Sequence, residues 1–341
     1  MSALPYVTMV ADVARVCTCL TIITNSLVIY ITFYQIKNIT KAYKFLIIVL
    51  AGIGLIFSTL EIFIHPFMHS YNASFAFFSI HPMFEESKKL NMALVVIYAQ
   101  LYVAIICLIA IQFIYRFCVM SDSGQIKYFQ GWRILVWFAH VIVSSAMWSF
   151  ALIHCIPDTY SLNYLRKEFA DCYNEDIEDV ASFMYVAYEL GENNTQTLRV
   201  QTLISISFAV VDLLIQYSII AYCGVRIRAK TKELVLMTSS KVHRLQTQLF
   251  KTLVIQITAP SLFFHFPVVV MYIISYLDME ISFPSGIMVS FFSVYPAVDS
   301  VILMCMVTEY YRCLQNVCLR ILKAIVVYIE RKQDDASIMR M

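Results

Sequence analysis

The chain has 341 residues, 60% of them hydrophobic and only 14% charged, with a net charge of +2 and a mean hydropathy of +0.72. A water-soluble domain carries roughly 25% charged residues, so much of this surface faces something other than water, and so small a net charge gives no reason to expect a nucleic-acid partner. Ten cysteines without CxxC pairs or Cys/His clusters at ligand spacing argue against a metal site or disulfide scaffold, and no cofactor is expected.

A hydrocarbon core about 30 Å thick needs about 20 apolar residues in a helix. The first run that qualifies is 10–34. Met1 to Met9 lacks a basic region and no small-residue cleavage site follows, so this run is expected to be its own membrane-targeting signal. A second run, 45–67, carries Glu61 and His65 near its far end, and a glycosylation signal, Asn72-Ala-Ser74, follows it. The third, 91–115, bears Tyr98, Gln100 and Tyr102 and closes on Gln112-Phe-Ile-Tyr115-Arg116; the fourth is 134–156.

The 157–198 connection is acidic and holds a second glycosylation signal at Asn193. It reads as a solvated lid or as a vestibule that selects ligands by charge. The fifth run, 200–225, has Asp212 near its middle, and a basic loop, 225–251, follows. The sixth, 249–276, contains Pro260, His265 and Pro267; the seventh, 286–307, contains Tyr295-Pro296-Ala-Val-Asp299. After it, Tyr310 to Ile329 has the mixed pattern of an amphipathic helix on a membrane surface, with Cys313 and Cys318 as candidate palmitoylation sites. The expected organisation is a seven-helix membrane domain over 1–307, followed by that helix and a short tail over 308–341.

Nineteen of the 25 basic residues fall in the 34–45, 116–133 and 225–251 connections and the C-terminal region. The positive-inside rule assigns these to the cytoplasm, which puts the N-terminus and both glycosylation signals outside. Ionisable residues within spans are costly, about 2.5–3.5 kcal/mol at the centre on insertion scales, and need a reason. Glu61, Asp212 and His265, with Tyr98, Gln100 and Tyr102, are either interhelical packing contacts or the polar points of a mostly apolar ligand pocket. Pro260, Pro267 and Pro296 each remove a helix hydrogen bond, giving static bends or hinges of a switch. Arg116 either snorkels to the headgroups or meets a partner there.

The stretches Lys41-Ala-Tyr-Lys44, Glu61 to His69, Phe113-Ile-Tyr-Arg116, Pro157-Asp-Thr159, Tyr222-Cys-Gly224, Gln248-Leu-Phe-Lys251 through Pro267, and Tyr295-Pro-x-x-Asp299 occur in an order and spacing that resembles the nematode seven-transmembrane chemoreceptors of the Str type, a serpentine olfactory-receptor family. That resemblance covers about 10–325 and implies an all-α, receptor-like bundle in the plasma membrane of sensory-neuron cilia. It further implies an environmental small-molecule ligand and a heterotrimeric G protein as partners. By analogy, Arg116 takes the place of the arginine at the inner end of the third helix of rhodopsin-like receptors, beside Tyr115, and Tyr295-Pro296-x-x-Asp299 stands where their Asn-Pro-x-x-Tyr lies. Two departures matter. No acid precedes Arg116, and no cysteine opens the third helix, which leaves Cys155 and Cys172 as the alternative disulfide pair.

The expected mechanism is a ligand-operated switch: a molecule binds among the outer halves of helices 3, 5, 6 and 7, and a kinked sixth helix opens a cleft near Arg116 and Lys251. The alternative is an odorant-gated channel of inverted seven-helix topology, which needs the opposite orientation. An intramembrane aspartyl protease using Asp212 and Asp299 lacks the flanking residues for that chemistry, so no enzyme activity is expected, and a transporter would need an internal repeat.

Overall fold

The computed structural model describes residues 3–37, 39–84, 87–121, 123–190, 195–234, 240–279 and 281–320, together with 323 and 328. Seven helical stretches are long and apolar enough to cross a membrane: Leu4–Gln35, Lys41–Ile64, Lys88–Ser121, Gly131–Ile153, Val200–Thr231, Thr247–Tyr276 and Ile287–Met306. The third is the axis of the bundle. Of its most apolar window 72% is buried, against 11% for the fourth, because a helix that is apolar all round suits a core. The fourth turns Leu135, Val136, Ile142, Val143 and Phe150 outward, where lipid replaces water as their solvent.

We number the elements in chain order. The helices are α1 (Leu4–Tyr30, continued by a π turn Ile31–Gln35), α2 (Lys41–Ile64), α3 (Lys88–Ser121), α4 (Leu135–Ile153), α5 (Thr159–Tyr173), α6 (Val200–Leu234), α7 (Ser240–Pro260), α8 (Phe266–Tyr276) and α9 (Ile287–Met306), the sixth span being α7, a π turn Ser261–His265 and α8. The strands are β1 (Pro66–Tyr71), β2 (Ser74–Ser79), β3 (Ser182–Val186), β4 (Tyr188–Leu190), β5 (Gln196–Leu198) and β6 (Ser282–Phe283).

Three expectations change here. The second span ends at Ile64 rather than 67, because His65 takes a left-handed conformation (φ 42) and Pro66 cannot continue a helix. The chain then enters a four-stranded antiparallel sheet, order β3-β2-β1-β6, at a place read from sequence as plain loop. Among the described residues the 225–251 connection is helical: α6 runs on to Leu234 and α7 starts at Ser240. Finally, Cys155 and Cys172 are both free. The Cys155 thiol lies 3.1 Å from Ser205 Oγ and that of Cys172 3.2 Å from Glu168 Oε1.

The sheet and α5 cap one end of the bundle. Asp158 starts α5 with a reciprocal capping box to Ser161, which satisfies two orphan donors of the first turn. It also pairs with Arg199, whose Nε lies 3.4 Å from Glu189 and which is only 5% exposed. At the opposite end a helix covers 308–320, with Tyr310 buried, Cys313 half-buried and Cys318 exposed.

Two predictions follow from this packing. A Cβ on Gly286 would lie 2.0 Å from the Phe67 ring, whereas one on Gly52 meets nothing within 4 Å. Gly286→Ala is expected to lower the unfolding temperature in detergent, costing about 1–3 kcal/mol, while Gly52→Ala leaves it unchanged or raises it slightly. In the cap, burial opposes the Asp158 carboxylate, but hydrogen bonds from Ser161 and the Arg199 guanidinium outweigh it and hold the carboxyl below its ordinary range. A depressed folded-state value means stability present above the unfolded value and lost as pH falls through the folded one. Protection of α5 amides, measured against their intrinsic exchange rates, should therefore fall in the acid range below pH 3.8, the carboxyl's ordinary value, and Asp158→Asn should flatten that dependence.

Candidate functional site

The sheet has two faces because side chains alternate along each strand. The register sets Met68 opposite Phe77 and Ser70 opposite Phe75, and Phe75 and Phe77 opposite Tyr185 and Phe183. These residues look into the bundle. Phe67 and Phe78 take the other face, against Tyr173 of α5.

Beneath the inner face lies a cavity of about 100 Å³, lined by Met68, Phe75 and Phe77 of the sheet, Tyr98, Ala99 and Tyr102 of α3, Trp148 and Leu152 of α4, Val268 and Tyr272 of α8, and Phe292 of α9. A second cavity of about 60 Å³ shares Phe75, Phe77, Trp148, Leu152 and Tyr272 and reaches Ser205 and Ala209 of α6. The aromatic lining suits a small-molecule pocket. Two of its lining residues, Tyr98 and Tyr102, have hydroxyls that are buried and without a hydrogen-bond partner among the described residues, where buried polar groups normally find one.

The candidate residues divide by location. Tyr98 and Tyr102 line the cavity. His265 stands behind Tyr102, ring centroids 5.4 Å apart, with its Nδ1 2.9 Å from the Tyr217 hydroxyl. Gln100 turns away and donates to Ser149 Oγ at 2.8 Å. Asp212 accepts from Ser144, which also accepts from Gln216 at 3.2 Å. Both therefore bind neighbouring helices outside the cavity lining. Glu61 accepts from Ser293 of α9 and borders a small space facing α1 that is separate from the main cavity.

The residues singled out as a switch lie in two places, around the irregular turn of the sixth span and the facing part of α9, and near the C-terminal end of α3. Pro260 ends α7, and the π turn after it is held by Ser261 Oγ donating to Ile257 O at 2.7 Å and by Tyr217, 2.7 Å from the same hydroxyl. Pro267 is buried in the first turn of α8. In α9, Tyr295 donates to Asp299 at 3.3 Å, and Gln256 donates to the same oxygen at 3.0 Å. Pro296 lies against α2, where a Cβ on Gly54 would sit 3.2 Å from it.

Arg116 is buried with its guanidinium 3.9 Å from the Tyr43 ring centre. Tyr43 stacks on Tyr115, which bonds Thr40. Lys251 is exposed. Asn72 sits at the β1–β2 turn in a left-handed conformation (φ 47), which asparagine tolerates better than most residues. Asn193 lies outside the described residues.

Sequence reasoning missed Trp148, Phe75, Phe77, Tyr272 and Phe292 in the lining. It also missed Asn25, which donates to Ala51 O at 2.9 Å and accepts from Ser300 at 2.5 Å, tying the first, second and seventh spans together. A signal for the strands was present: two short aromatic runs, Pro66–Tyr71 and Ser74–Ser79, separated by Asn72-Ala73, have the form of a hairpin.

Comparison with known proteins agrees with this architecture. Residues 11–315 match the family described as serpentine type 7TM GPCR chemoreceptor Str. The chain is 41% identical over 292 residues to the G-protein coupled receptor str-33 of Caenorhabditis elegans, covering 85% of each chain. It is 24% identical over 281 residues to the serpentine receptor class r-10 of the same organism, covering 82% of each. Squid rhodopsin shares the fold with a TM-score of 0.60 at 13% identity, over 92% of this chain and 80% of that one. With its seven membrane helices and a family match over most of its length, this chain belongs to the Str family of serpentine G-protein-coupled chemoreceptors.

Proposed function

We propose that the chain is a chemosensory receptor that binds a small, mostly apolar environmental molecule beneath the sheet and activates a heterotrimeric G protein at the opposite end. The observation that carries this reading is the aromatic cavity whose lining includes two tyrosines with buried, unpartnered hydroxyls. The ligand class it suits is an apolar body with one or two hydrogen-bonding atoms. The fourth span and the sheet contribute to the lining, a wider set of elements than helices 3, 5, 6 and 7. A ligand moves the equilibrium only if it binds the two packings unequally. The element that can repack is the sixth span, whose π turn places Phe264 between Tyr102 of the pocket, 5.1 Å away, and Tyr295 of the polar cluster, 4.6 Å away.

The distribution of basic residues supports an orientation with the capped end outside and Arg116, Lys251 and 308–341 in the cytoplasm. We further infer that the receptor acts in the plasma membrane of sensory-neuron cilia, with glycans on Asn72 and Asn193 and lipid on Cys313 or Cys318.

Two experiments test the reading. In cells expressing the receptor and a calcium reporter, a panel of volatile and water-soluble compounds should yield at least one agonist. Tyr98→Phe and Tyr102→Phe should weaken its potency by about 2–12-fold each, the net worth of one hydrogen bond, and Phe292→Ala by more, with lipid-facing Ile142→Ala unchanged. Charge reversal across 226–244 should remove the response. Responses that persist when G proteins are blocked would favour the odorant-gated channel. For orientation, Asn72→Gln should remove one glycan by glycosidase mobility shift, and a glycosylation reporter placed at 235–239 should stay unmodified.

A further inference from the structure

Met68 and His69 are neighbours on β1, so their side chains leave opposite faces of the sheet. Met68 covers the cavity, and His69 points to α5. There His69 Nε2 lies 3.3 Å from Glu168 Oε1, and Cys172 Sγ lies 3.2 Å from the same oxygen. All three offer ligand atoms within 4.8 Å of one another. Glu168 and Cys172 stand four residues apart on α5, one above the other on a single helix face.

Bond lengths of 2.0–2.3 Å to tetrahedral zinc place neighbouring ligand atoms about 3.5 Å apart. Two of the three separations are already close to that. His69 is 1% exposed. Its Nδ1 is held by the Tyr173 hydroxyl at 2.8 Å, and its Nε2 makes no hydrogen bond among the described residues. One ring nitrogen held by an orienting group, with the other aimed at a carboxylate and a thiol, is how metal-binding histidines are positioned.

The Cys172 thiol would give its proton to solvent when a metal takes its place.

We propose that His69, Glu168 and Cys172 form a three-ligand site for zinc(II), with the fourth position open to water. A single carboxylate is too few for calcium or magnesium, which take oxygen ligands, whereas thiolate and imidazole select zinc. Occupancy would tie β1 to α5 and stiffen the sheet over the cavity. The inference concerns the cap and does not depend on the receptor's ligand or its G protein.

The test uses full-length receptor purified in detergent, stripped with a chelator and titrated with zinc against a chromophoric indicator. Wild type should bind one equivalent that Cys172→Ser and Glu168→Gln lose or bind at least tenfold more weakly, and Tyr173→Phe should weaken it by about 10–100-fold. Cobalt(II) should give a thiolate charge-transfer band that Cys172→His loses while retaining zinc, and size-exclusion profiles establish that each variant is folded. The site is overturned if wild type takes up no stoichiometric zinc, or if Cys172→Ser and Glu168→Gln bind it as wild type does.

Discussion

Inside lipid a backbone N–H or C=O has no water to turn to, so every break in a helix must be paired by another part of the chain. The end of α2 shows how much follows from this. Its last carbonyls are released when His65 turns left-handed, and the segment after the hairpin answers them. Met83 donates to Phe63 O at 2.9 Å and Ile80 to His65 O at 3.2 Å, and the Ser79 hydroxyl donates to Ile64 O. The end of α4 is treated likewise, with Met184 of β3 donating to Cys155 O at 2.7 Å. Strand pairing between β2 and β3 then joins the two helix ends. The sheet is thus fixed across the bundle by the same requirement that makes the spans helical.

That placement gives the sheet two environments. Its inner face closes an aromatic cavity, and its outer face is covered by Phe169 and Tyr173 of α5. Because successive residues of β1 point to opposite sides, a change at His69 is one residue from the pocket wall at Met68. A cap anchored by α5 and by the buried Arg199 is therefore mechanically continuous with the covering of the cavity. This is a more specific arrangement than either of the readings open for an acidic loop. Much of that loop's charge is organised into pairs, Asp158 and Glu189 with Arg199 and Glu178 with Arg166.

The spans were legible because about 20 consecutive apolar residues leave few other readings. The axial place of α3 was also implicit in its lack of a polar face. The sheet was not read, although its hairpin signal was present, since aromatic runs beside membrane helices pass as interfacial belts. Boundaries failed where a helix outlasts its apolar stretch, as α6 does past Arg226, because helix formation does not stop at the membrane surface. The site was half legible. Tyr98, Gln100 and Tyr102 were read together as polar points of a pocket, but Gln100, two positions from each tyrosine, necessarily points elsewhere on α3. Asp212 drew attention as a membrane acid, yet its partners Ser144 and Gln216 come from the seam between α4 and α6. Cost explains why such a group has partners, not what it is for.

The sixth span is where pocket and polar cluster meet. A π turn inserts one extra residue into a helical turn, and here the widened turn carries Phe264 inward and His265 toward Tyr217. Phe264 is buried and touches Phe57, Tyr102, Phe292 and Tyr295. A ligand pressing on Tyr102 therefore cannot shift that ring without disturbing Phe264, since interiors are packed too densely to absorb the motion. Tyr295 in turn bonds Asp299, which also holds Gln256 of α7. The same helix is thus gripped on both sides of its irregular turn, once through an aromatic contact and once through a carboxylate. The proposed switch would have to loosen one of these two grips, which lie on opposite sides of the irregular turn. The prolines contribute by making continuous helix costly at this point, which is a physical reason for the irregular turn.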